Sequence, residues 1–227
     1  MELQRASVVA LVAAYNEEDR IAATVRALRG IEAVAEVVVV ADGAVDRTAE
    51  VASRAGARVL SAQRRMGKGP AIDAALDRVS AEVFLLVDGD VGASAGEGQK
   101  LLEPVLGGGL DVAIGRLPSL TGGGFGLVKR MARGLISAAT GFLADEPLSG
   151  QRAITAEALS ACRPLAAGFG MEVAMTLDLA RLGFRIGEVP VEMSHRPTGR
   201  NASGFVHRGL QGADILRAVL PRMVWIR

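Results

Sequence analysis

The sequence has few cysteines, histidines and aromatic residues. Among its 227 residues are one cysteine, two histidines, one tryptophan and one tyrosine, and aromatic residues make up 4% of the chain. The single Cys162 excludes an intrachain disulfide, and no cysteine–histidine cluster has the spacing of a zinc site. So few aromatic side chains do not form a platform on which nucleic-acid bases stack.

The chain also lacks a strong charge imbalance and long apolar runs. Its formal net charge of +1 argues against electrostatic capture of nucleic acid. No uninterrupted apolar stretch approaches the roughly 18 residues of a membrane-spanning helix. Glu2 and Gln4 stand where the basic start of a signal peptide would lie. These absences predict a reduced, cytoplasmic protein.

The residues that are present predict an α/β fold. Half of them are hydrophobic, which is ample for a sizeable core. In the first half of the chain, apolar runs typical of strands alternate with segments typical of helices, and this alternation predicts a mainly parallel, doubly wound sheet. We predict strands at Ser7–Ala13, Glu36–Val40, Arg58–Leu60, Val83–Val87 and Asp111–Ile114, and helices from the capping residue Asn16 to Gly30, at Asp46–Ala55 and at about residues 70–79.

The second half of the chain is less regular. It predicts helices at about residues 126–142 and 169–182, a strand at Ile186–Met193 and a polar loop at Ser194–Gly204. No strong boundary divides the chain, so we predict a single domain over residues 1–227. Residues 206–227 form its C-terminal helical tail, in which Pro221 interrupts a long continuous helix.

Asp88-Gly89-Asp90 is the most informative motif. It directly follows Val83–Val87, five apolar residues that predict a strand buried on both faces. Ligands of such sheets bind outside the carboxyl ends of the strands. Two carboxylates that flank a glycine can converge on one divalent cation, and Mg²⁺ is commonly held by one or two carboxylates plus substrate phosphates. The motif therefore predicts chemistry on a phosphorylated, nucleotide-linked substrate.

Four further polar motifs fall at predicted strand ends or in loops, where an α/β site is assembled. Ala14-Tyr15-Asn16-Glu17 follows the first strand, and Asp42-Gly43-Ala44-Val45-Asp46 follows the second. Gly67-Lys68-Gly69 precedes a predicted helix that has Pro70 in its first turn. Pro147-Leu148-Ser149-Gly150-Gln151-Arg152-Ala153 lies between two predicted helices.

The five motifs, in this order, resemble those of the family 2 glycosyltransferases. The family's usual patterns are a Pro-x-Tyr-Asn-Glu-like start, Asp-Asp-Gly-Ser-x-Asp-x-Thr, Gly-Lys-Gly, Asp-x-Asp and Ser-Gly-x-Arg-Ala, and the resemblance covers about residues 7–195. It implies a GT-A fold, with a Rossmann-like, mainly parallel sheet flanked by helices, and sugar transfer from a nucleotide-sugar donor. The polyprenyl-phosphate enzymes of the dolichyl-phosphate-mannose-synthase type are closest in pattern, and Gly168–His195 is also similar to glucosyl-3-phosphoglycerate synthase.

The resemblance implies that residues 1–116 are a nucleotide-sugar-binding half and residues 117–205 an acceptor half. Mg²⁺ or Mn²⁺ would be bound by Asp90, with Asp88 and His195 as further ligands. The implied donor-binding residues are Ala13, Tyr15, Glu17, Asp42, Lys68, Asp88 and Gly89. Two departures concern the base: Ala41 replaces the first aspartate of the Asp-Asp pair, and Ala44 replaces the serine, so base recognition would rest on Asp42.

Three carboxylates have implied catalytic roles. Asp90 would bind the metal that stabilises the departing nucleoside diphosphate. Glu172 matches a Gly-Phe/Tyr-x-x-Glu element of the family, and it lies in an otherwise apolar helix, where a carboxylate requires a partner. It would face the acceptor pocket or pair with an arginine. Glu146 lies near the position at which inverting relatives carry a catalytic carboxylate. A phosphate acceptor is already a nucleophile, however, and with such an acceptor Glu146 would only cap or orient its loop.

Cationic residues in the acceptor half predict an anionic acceptor, because arginine suits the geometry of phosphate. The candidates are Arg116, Arg152, Arg196 and Arg200, with Lys129 and Arg133 beside a Gly-rich loop. A solvated face, or for Arg152 a structural role, is the alternative. The tail has apolar residues spaced by three and four among arginines, which predicts a core-packing or dimer segment or a peripheral membrane contact.

The sequence therefore predicts a metal-dependent hexosyltransferase that moves a sugar from a UDP- or GDP-sugar to polyprenyl phosphate at the inner face of the membrane. The alternative acceptor is 3-phosphoglycerate or another small acid. A nucleotidyltransferase would carry a Gly-rich basic loop after the first strand, where this chain has residues 14–17. A non-catalytic module that binds a sugar nucleotide is the last rival, and the retained Lys68, Asp88 and Asp90 argue against it.

Overall fold

The protein is built around one seven-stranded sheet. The structure, a computed structural model, describes residues 6–118, 125–194 and 212–222. The strands are β1 (Val8–Ala14), β2 (Val34–Asp42), β3 (Arg58–Ala62), β4 (Val83–Asp88), β5 (Val112–Arg116), β6 (Arg152–Thr155) and β7 (Ile186–Pro190). Their order across the sheet is β3-β2-β1-β4-β6-β5-β7.

Helices connect these strands. They are α1 (Ile21–Arg29), α2 (Thr48–Arg54), α3 (Lys68–Leu76), α4 (Gly98–Leu106), α5 (Phe125–Thr140), α6 (Ala156–Ala161), α7 (Met171–Arg181) and α8 (residues 212–222). Short 3₁₀ helices at Gly92–Glu97 and Gly168–Gly170 precede α4 and α7. Pro70 lies in the first turn of α3, as predicted, since proline already lacks the N–H that this turn leaves unbonded.

The sheet is mainly parallel, which confirms the predicted fold class. β3, β2, β1 and β4 pair in parallel, and so do β5 and β7. β6 runs antiparallel to both of its neighbours, β4 and β5. The sequence did not predict β6, α4 or α6. β6 was missed because its four residues continue a polar loop motif and begin with the charged Arg152.

The core lies on both faces of the sheet. Alternate residues of β1 point to opposite faces, so Ala10 and Val12 join one buried apolar cluster while Val9 and Leu11 join the other. A third cluster packs α5, α7 and α8 together and includes Ile136, Val173, Leu177, Ile215 and Val219. The helices therefore cover both faces, which explains the continuous apolar runs of the central strands.

One local prediction was wrong, and a second is tested only in part. Asn16 does not cap α1, which begins at Ile21; Asn16 instead has φ +55°, and its Oδ1 accepts a hydrogen bond of 3.0 Å from the Val45 N–H. α8 includes Pro221 and is described as far as residue 222, so the interruption of a longer tail helix at Pro221 stays a prediction. Among the described residues, no helix is both long and apolar enough to cross a membrane.

Candidate active site

The loops after β1, β2 and β4 meet at the carboxyl edge of the sheet. β1 lies between the other two strands, so the Asp88-Gly89-Asp90 turn packs directly on its end. Gly89 donates its N–H to the Ala13 carbonyl at 3.0 Å. A Cβ atom at Gly89 would lie 2.9 Å from the Ala14 Cβ, a contact that side chains do not make. Glycine is therefore required between the two aspartates.

Lys68 joins two carboxylates at this edge. Its Nζ lies 2.6 Å from Asp88 Oδ1 and 2.9 Å from Glu172 Oε1, and the three residues come from α3, β4 and α7. Burial lowers the pKa of Lys68, but the two carboxylates together outweigh burial and raise it above its ordinary value. The ammonium group therefore stays protonated. Glu172 has the partner that its apolar helix requires, and this partner is Lys68 and not an arginine, because the start of α3 meets α7 at this edge.

Gln151 holds the other side of Asp88. Its Nε2 donates to Asp88 Oδ2 at 2.7 Å, and its Oε1 accepts from the Asp88 N–H at 3.3 Å. Gln151 is fully buried. Sequence reasoning missed this residue, because it occupies the unspecified position of Ser-Gly-x-Arg-Ala, and only the antiparallel pairing of β4 with β6 brings it to Asp88.

Arg152 is also buried, and it ties the Ser149–Arg152 loop to α7. It is 1% exposed, its Nε donates to the Ser149 carbonyl at 3.0 Å, and its Nη2 donates to the Glu172 carbonyl at 3.0 Å. Burial lowers the pKa of this guanidinium group. These contacts position Glu172; contact of Arg152 with an acceptor stays a prediction.

Asp90 lies two residues beyond Asp88 and is half-buried. Its backbone carbonyl accepts from Arg20 Nη1 at 2.9 Å, which fixes the end of the turn on α1. Within residues 6–118, 125–194 and 212–222, no three His, Cys, Asp or Glu side chains form a metal-binding group. Two carboxylates fit a hard divalent cation whose remaining ligands are substrate oxygens and water. The predicted ligand His195 lies outside the described residues, as do Arg196 and Arg200.

The carboxylate of Asp42 fixes the loop that carries Lys68. Its two oxygens accept from the N–H groups of Met66 and Gly67, each at 2.7 Å. Gly67 has φ +93°, a conformation that favours glycine. A contact of Asp42 with the nucleotide stays a prediction, and in this structure the carboxylate holds the loop in place.

The predicted donor residues of the first motif line the same edge. Tyr15 is 37% exposed, and the Arg65 guanidinium carbon lies 4.1 Å from its ring centroid. The Glu17 N–H donates to Thr48 Oγ1 at 2.8 Å, which joins the loop after β1 to the start of α2. Arg65 is a site residue that the sequence did not reveal, because it meets Tyr15 only in the folded protein. Thr48 stands at the last position of the Asp-Asp-Gly-Ser-x-Asp-x-Thr pattern, but its contact with Glu17 follows only from the fold.

A second region at this edge is a cavity of about 510 Å³. Lys129 pairs with Glu146. Asp145 lies 2.7 Å from Arg133 and 3.7 Å from Arg116. The cavity is lined by Lys100, Arg116, Leu117, Pro118, Lys129, Arg133, Asp145, Glu146, Pro190, Val191 and Glu192. Four cations and three carboxylates therefore share it.

Glu188 of β7 fixes the loop that carries both acidic residues of those ion pairs. Its Oε1 accepts from the N–H groups of Asp145 and Glu146 at 2.7 and 2.8 Å. Burial raises the pKa of Glu188 above its ordinary value, although the two hydrogen bonds oppose this shift. Sequence reasoning missed Glu188, because nothing in the chain links it to the motif at residues 147–153.

Comparison with known proteins agrees with this geometry. The Glycosyl transferase family 2 sequence model matches residues 9–156. Glycosyltransferase AglJ of Haloferax volcanii is 33% identical over 203 residues, which are 87% of this chain and 66% of AglJ. Protein RfbJ of Shigella flexneri is 28% identical over 109 residues, 48% of this chain and 84% of RfbJ. The chain thus spans slightly less than two thirds of AglJ.

The fold is similar to that of glucosyl-3-phosphoglycerate synthase from Mycobacterium tuberculosis. Its complex with Mn²⁺, UDP and phosphoglyceric acid superposes with a TM-score of 0.81 at 25% identity, over 96% of this chain and 78% of that one. Its complex with Mn²⁺, UDP-glucose and phosphoglyceric acid superposes with a TM-score of 0.82 at 26% identity, over 96% of this chain and 80% of the synthase chain. Together, the family match, the fold and the motifs show that this chain belongs to family 2 of the glycosyltransferases and has a GT-A fold.

Proposed function

We propose that the protein is a metal-dependent glycosyltransferase that moves a sugar from a UDP- or GDP-sugar to a phosphorylated acceptor. The observation that carries this proposal is the cluster at the end of β4, where Lys68 and Gln151 hold Asp88 beside Asp90. A nucleoside diphosphate is a leaving group with high negative charge. A protonated lysine and a carboxylate pair that suits a divalent cation are the groups that such a leaving group requires.

In this proposal Asp90 and Asp88 would hold Mg²⁺ or Mn²⁺. The bound ion would stabilise the charge that develops on the diphosphate. Lys68 would stabilise the same charge, and its two carboxylate partners keep its ammonium group protonated. Tyr15, Glu17 and Asp42 would contact the nucleoside. The similar synthase was crystallised with Mn²⁺ and UDP, which supports a metal-bound donor and favours uridine.

The cavity with Lys129 and Arg116 is the proposed site of the acceptor phosphate. Gly115 donates its N–H to the Gln151 carbonyl at 2.8 Å, so the end of β5 is joined to the residue that holds Asp88. One strand separates β4 from β5, so the ends of the two strands that carry the sites lie close together at the carboxyl edge of the sheet, about 10 Å apart by strand spacing. The Arg116–Asp145 ion pair is long at 3.7 Å, and an incoming phosphate would readily replace it.

The proposed source of this phosphate is polyprenyl phosphate. Leu127 of α5 and Leu143 of the following loop are 68% and 79% exposed, and they neighbour Lys129 and Asp145 in the chain. Exposed leucines on the segments that also carry Lys129 and Asp145 suit a lipid whose phosphate enters the cavity while its chain stays outside. 3-Phosphoglycerate is the second candidate, because the similar synthase was crystallised with phosphoglyceric acid.

A transfer assay tests the proposal and separates the acceptors. Radiolabelled UDP-glucose or GDP-mannose is incubated with Mn²⁺ and with either a polyprenyl phosphate or 3-phosphoglycerate, and the label is followed into the organic or the aqueous phase. Label in the organic phase supports the lipid, and anionic aqueous product supports the small acid. Release of no nucleoside diphosphate with any donor or acceptor would contradict transferase activity and favour a binding module.

A matched pair of variants tests the acceptor site. Arg116→Gln is expected to raise the acceptor KM at least tenfold while leaving donor affinity unchanged, since a charge-assisted hydrogen bond contributes roughly 1.5–3 kcal/mol. Arg54→Gln removes an exposed arginine that pairs with Glu50 on α2, away from the cavity, and it should change neither the acceptor KM nor the donor affinity. Equal acceptor KM values for the two variants would contradict the assignment of the cavity.

The tail helix α8 is the proposed peripheral membrane contact. Leu216 and Leu220 lie one turn apart on its exposed face with Arg217, whereas Ile215 and Val219 are buried. An apolar face with a cation suits an anionic lipid surface. The wild-type protein is expected to float with vesicles that contain phosphatidylglycerol, and the double variant Leu216→Ser/Leu220→Ser is expected to stay in the bottom fraction of the gradient. Equal flotation of the two proteins would contradict the membrane contact.

A further inference from the structure

Gln151 contacts the proposed donor site through its side-chain amide group. Its amide group makes two hydrogen bonds to Asp88, one to the carboxylate and one to the backbone N–H. The side chain is fully buried, so neither bond is weakened by competition with bulk water. An amide that both donates to and accepts from the same residue fixes the orientation of that residue and adds no charge.

We propose that Gln151 is a positioning residue of the donor site, which acts through Asp88 on Lys68 and on the proposed metal ligands. This inference rests on the proposed function. Gln151 engages Oδ2 of Asp88, so Oδ1 is directed to Lys68 at 2.6 Å. Each oxygen keeps a further lone pair for a ligand, because a carboxylate has about four acceptor positions.

The position of Lys68 depends on this arrangement. Among the described residues, Gln151 is the hydrogen-bond partner of Asp88 Oδ2, so its removal leaves that side of the carboxylate unrestrained and allows the carboxylate to rotate. Rotation lengthens the Lys68–Asp88 contact, and Lys68 is then held by Glu172 alone. The ammonium group and Asp88 would both leave the positions in which they face a bound diphosphate.

Gly150 gives independent support for a tightly fixed arrangement at this place. A Cβ atom there would lie 2.3 Å from Lys68 Nζ and 2.7 Å from Asp88 Oδ2. The backbone that carries Gln151 therefore packs directly against the ion pair that Gln151 orients. Residues 150 and 151 thus restrict the same two side chains, one through its lack of a side chain and the other through its amide.

The first test needs no donor. Lys68 acetylation by acetic anhydride is followed by mass spectrometry in the wild type, in Gln151→Met and in the control Gln99→Met, with the exposed Lys100 as internal reference. Gln99 is exposed on α4, so the control makes the same substitution away from the site. Gln151→Met is expected to raise the Lys68 rate several-fold relative to Lys100. An unchanged ratio would overturn the proposal.

The second test is a double-mutant cycle with Asp88→Asn, read out as the affinity for UDP in the presence of Mn²⁺. Gln151→Met is expected to weaken binding about tenfold or more. The loss in the double variant should be smaller than the product of the two single losses, because both changes disrupt one arrangement. Urea unfolding of each variant confirms that it is folded.

The outcomes of the cycle separate the two proposals. If the wild type binds no nucleotide with metal, the proposed function fails, and the acetylation ratio still decides the role of Gln151. If the wild type binds UDP with Mn²⁺ and Gln151→Met binds it with equal affinity, the inference is overturned. The inference is also overturned if the loss of affinity in the double variant equals the product of the two single losses, because Gln151 then contributes only to the fold.

Discussion

Lys68 Nζ lies 2.6 Å from Asp88 Oδ1, and this ion pair joins the start of α3 to the end of β4. The pair is partly buried and has Glu172 as a third member. A buried cation with two carboxylates is costly to assemble for stability alone, because desolvation offsets much of the attraction between the charges. Its position at the carboxyl edge of the sheet is consistent with a role in binding an anionic ligand.

Replacement of Lys68 is expected to weaken donor binding. Lys68→Met removes the positive charge that pairs with both Asp88 and Glu172, and it should weaken UDP binding in the presence of Mn²⁺ by roughly 10- to 100-fold. Lys68→Arg keeps the charge and should lose less of the affinity for UDP. Isothermal titration calorimetry measures both, and equal affinity of Lys68→Met and the wild type would exclude a role in binding.

Gly150→Ala is expected to disrupt the same ion pair without altering a charged residue. The added Cβ would lie 2.3 Å from Lys68 Nζ, so one of the two must move. Sugar transfer should fall at least tenfold, since misplacement by about 1 Å at a catalytic site has costs of this size. Gly134→Ala on α5 is the control, because a Cβ there meets no atom within 4 Å. Equal activity of the two variants would contradict the account.

Glu188 is expected to make stability depend on pH. Burial raises its pKa in the folded protein, so folding favours the protonated form, and its contribution is present at low pH and lost as pH rises through the raised pKa. Glu188→Gln keeps an oxygen that accepts from Asp145 and Glu146 and removes the charge. Relative to the wild type, the variant should become more stable as pH rises from about 4 to 7. Parallel urea-unfolding curves at every pH would refute this prediction.

Cys162 is expected to be unreactive in the folded protein. The residue is 3% exposed, and burial raises the pKa of its thiol to about 12. The thiolate is the reactive species, so reaction with Ellman's reagent at pH 8 should be at least about 100-fold slower in the native protein than in urea. Comparable native and unfolded rates would show that the α6–α7 region opens readily.

The sequence predicted the larger elements because their signals are local. β1, β2 and β4 each contain more consecutive apolar residues than a solvent-exposed segment would carry, and glycines mark the ends of α1 and α2. β6 was missed because four residues that begin with a buried arginine carry no such signal. Arg152 is buried there because its guanidinium group finds backbone carbonyls only in the folded chain.

The site was predicted less completely for a related reason. Asp88, Lys68 and Glu172 were identified by type and motif, but their mutual contacts depend on α3, β4 and α7 meeting at one point. No local sequence pattern marks Gln151 or Glu188 as a site residue, and each contacts a partner more than 40 residues away in the chain. Such residues are recognised only once the strand order is known.

The most direct test of the central claim is titration calorimetry of UDP and GDP with Mn²⁺, with Mg²⁺ and with EDTA, on the wild type, Asp90→Asn and the control Asp77→Asn. Asp77 is exposed and pairs with Arg163, away from the site. We expect one nucleotide to bind the wild type and Asp77→Asn only when metal is present, and Asp90→Asn to lose this metal-dependent binding while remaining folded. Nucleotide affinity that is unchanged by EDTA or by Asp90→Asn would contradict the account.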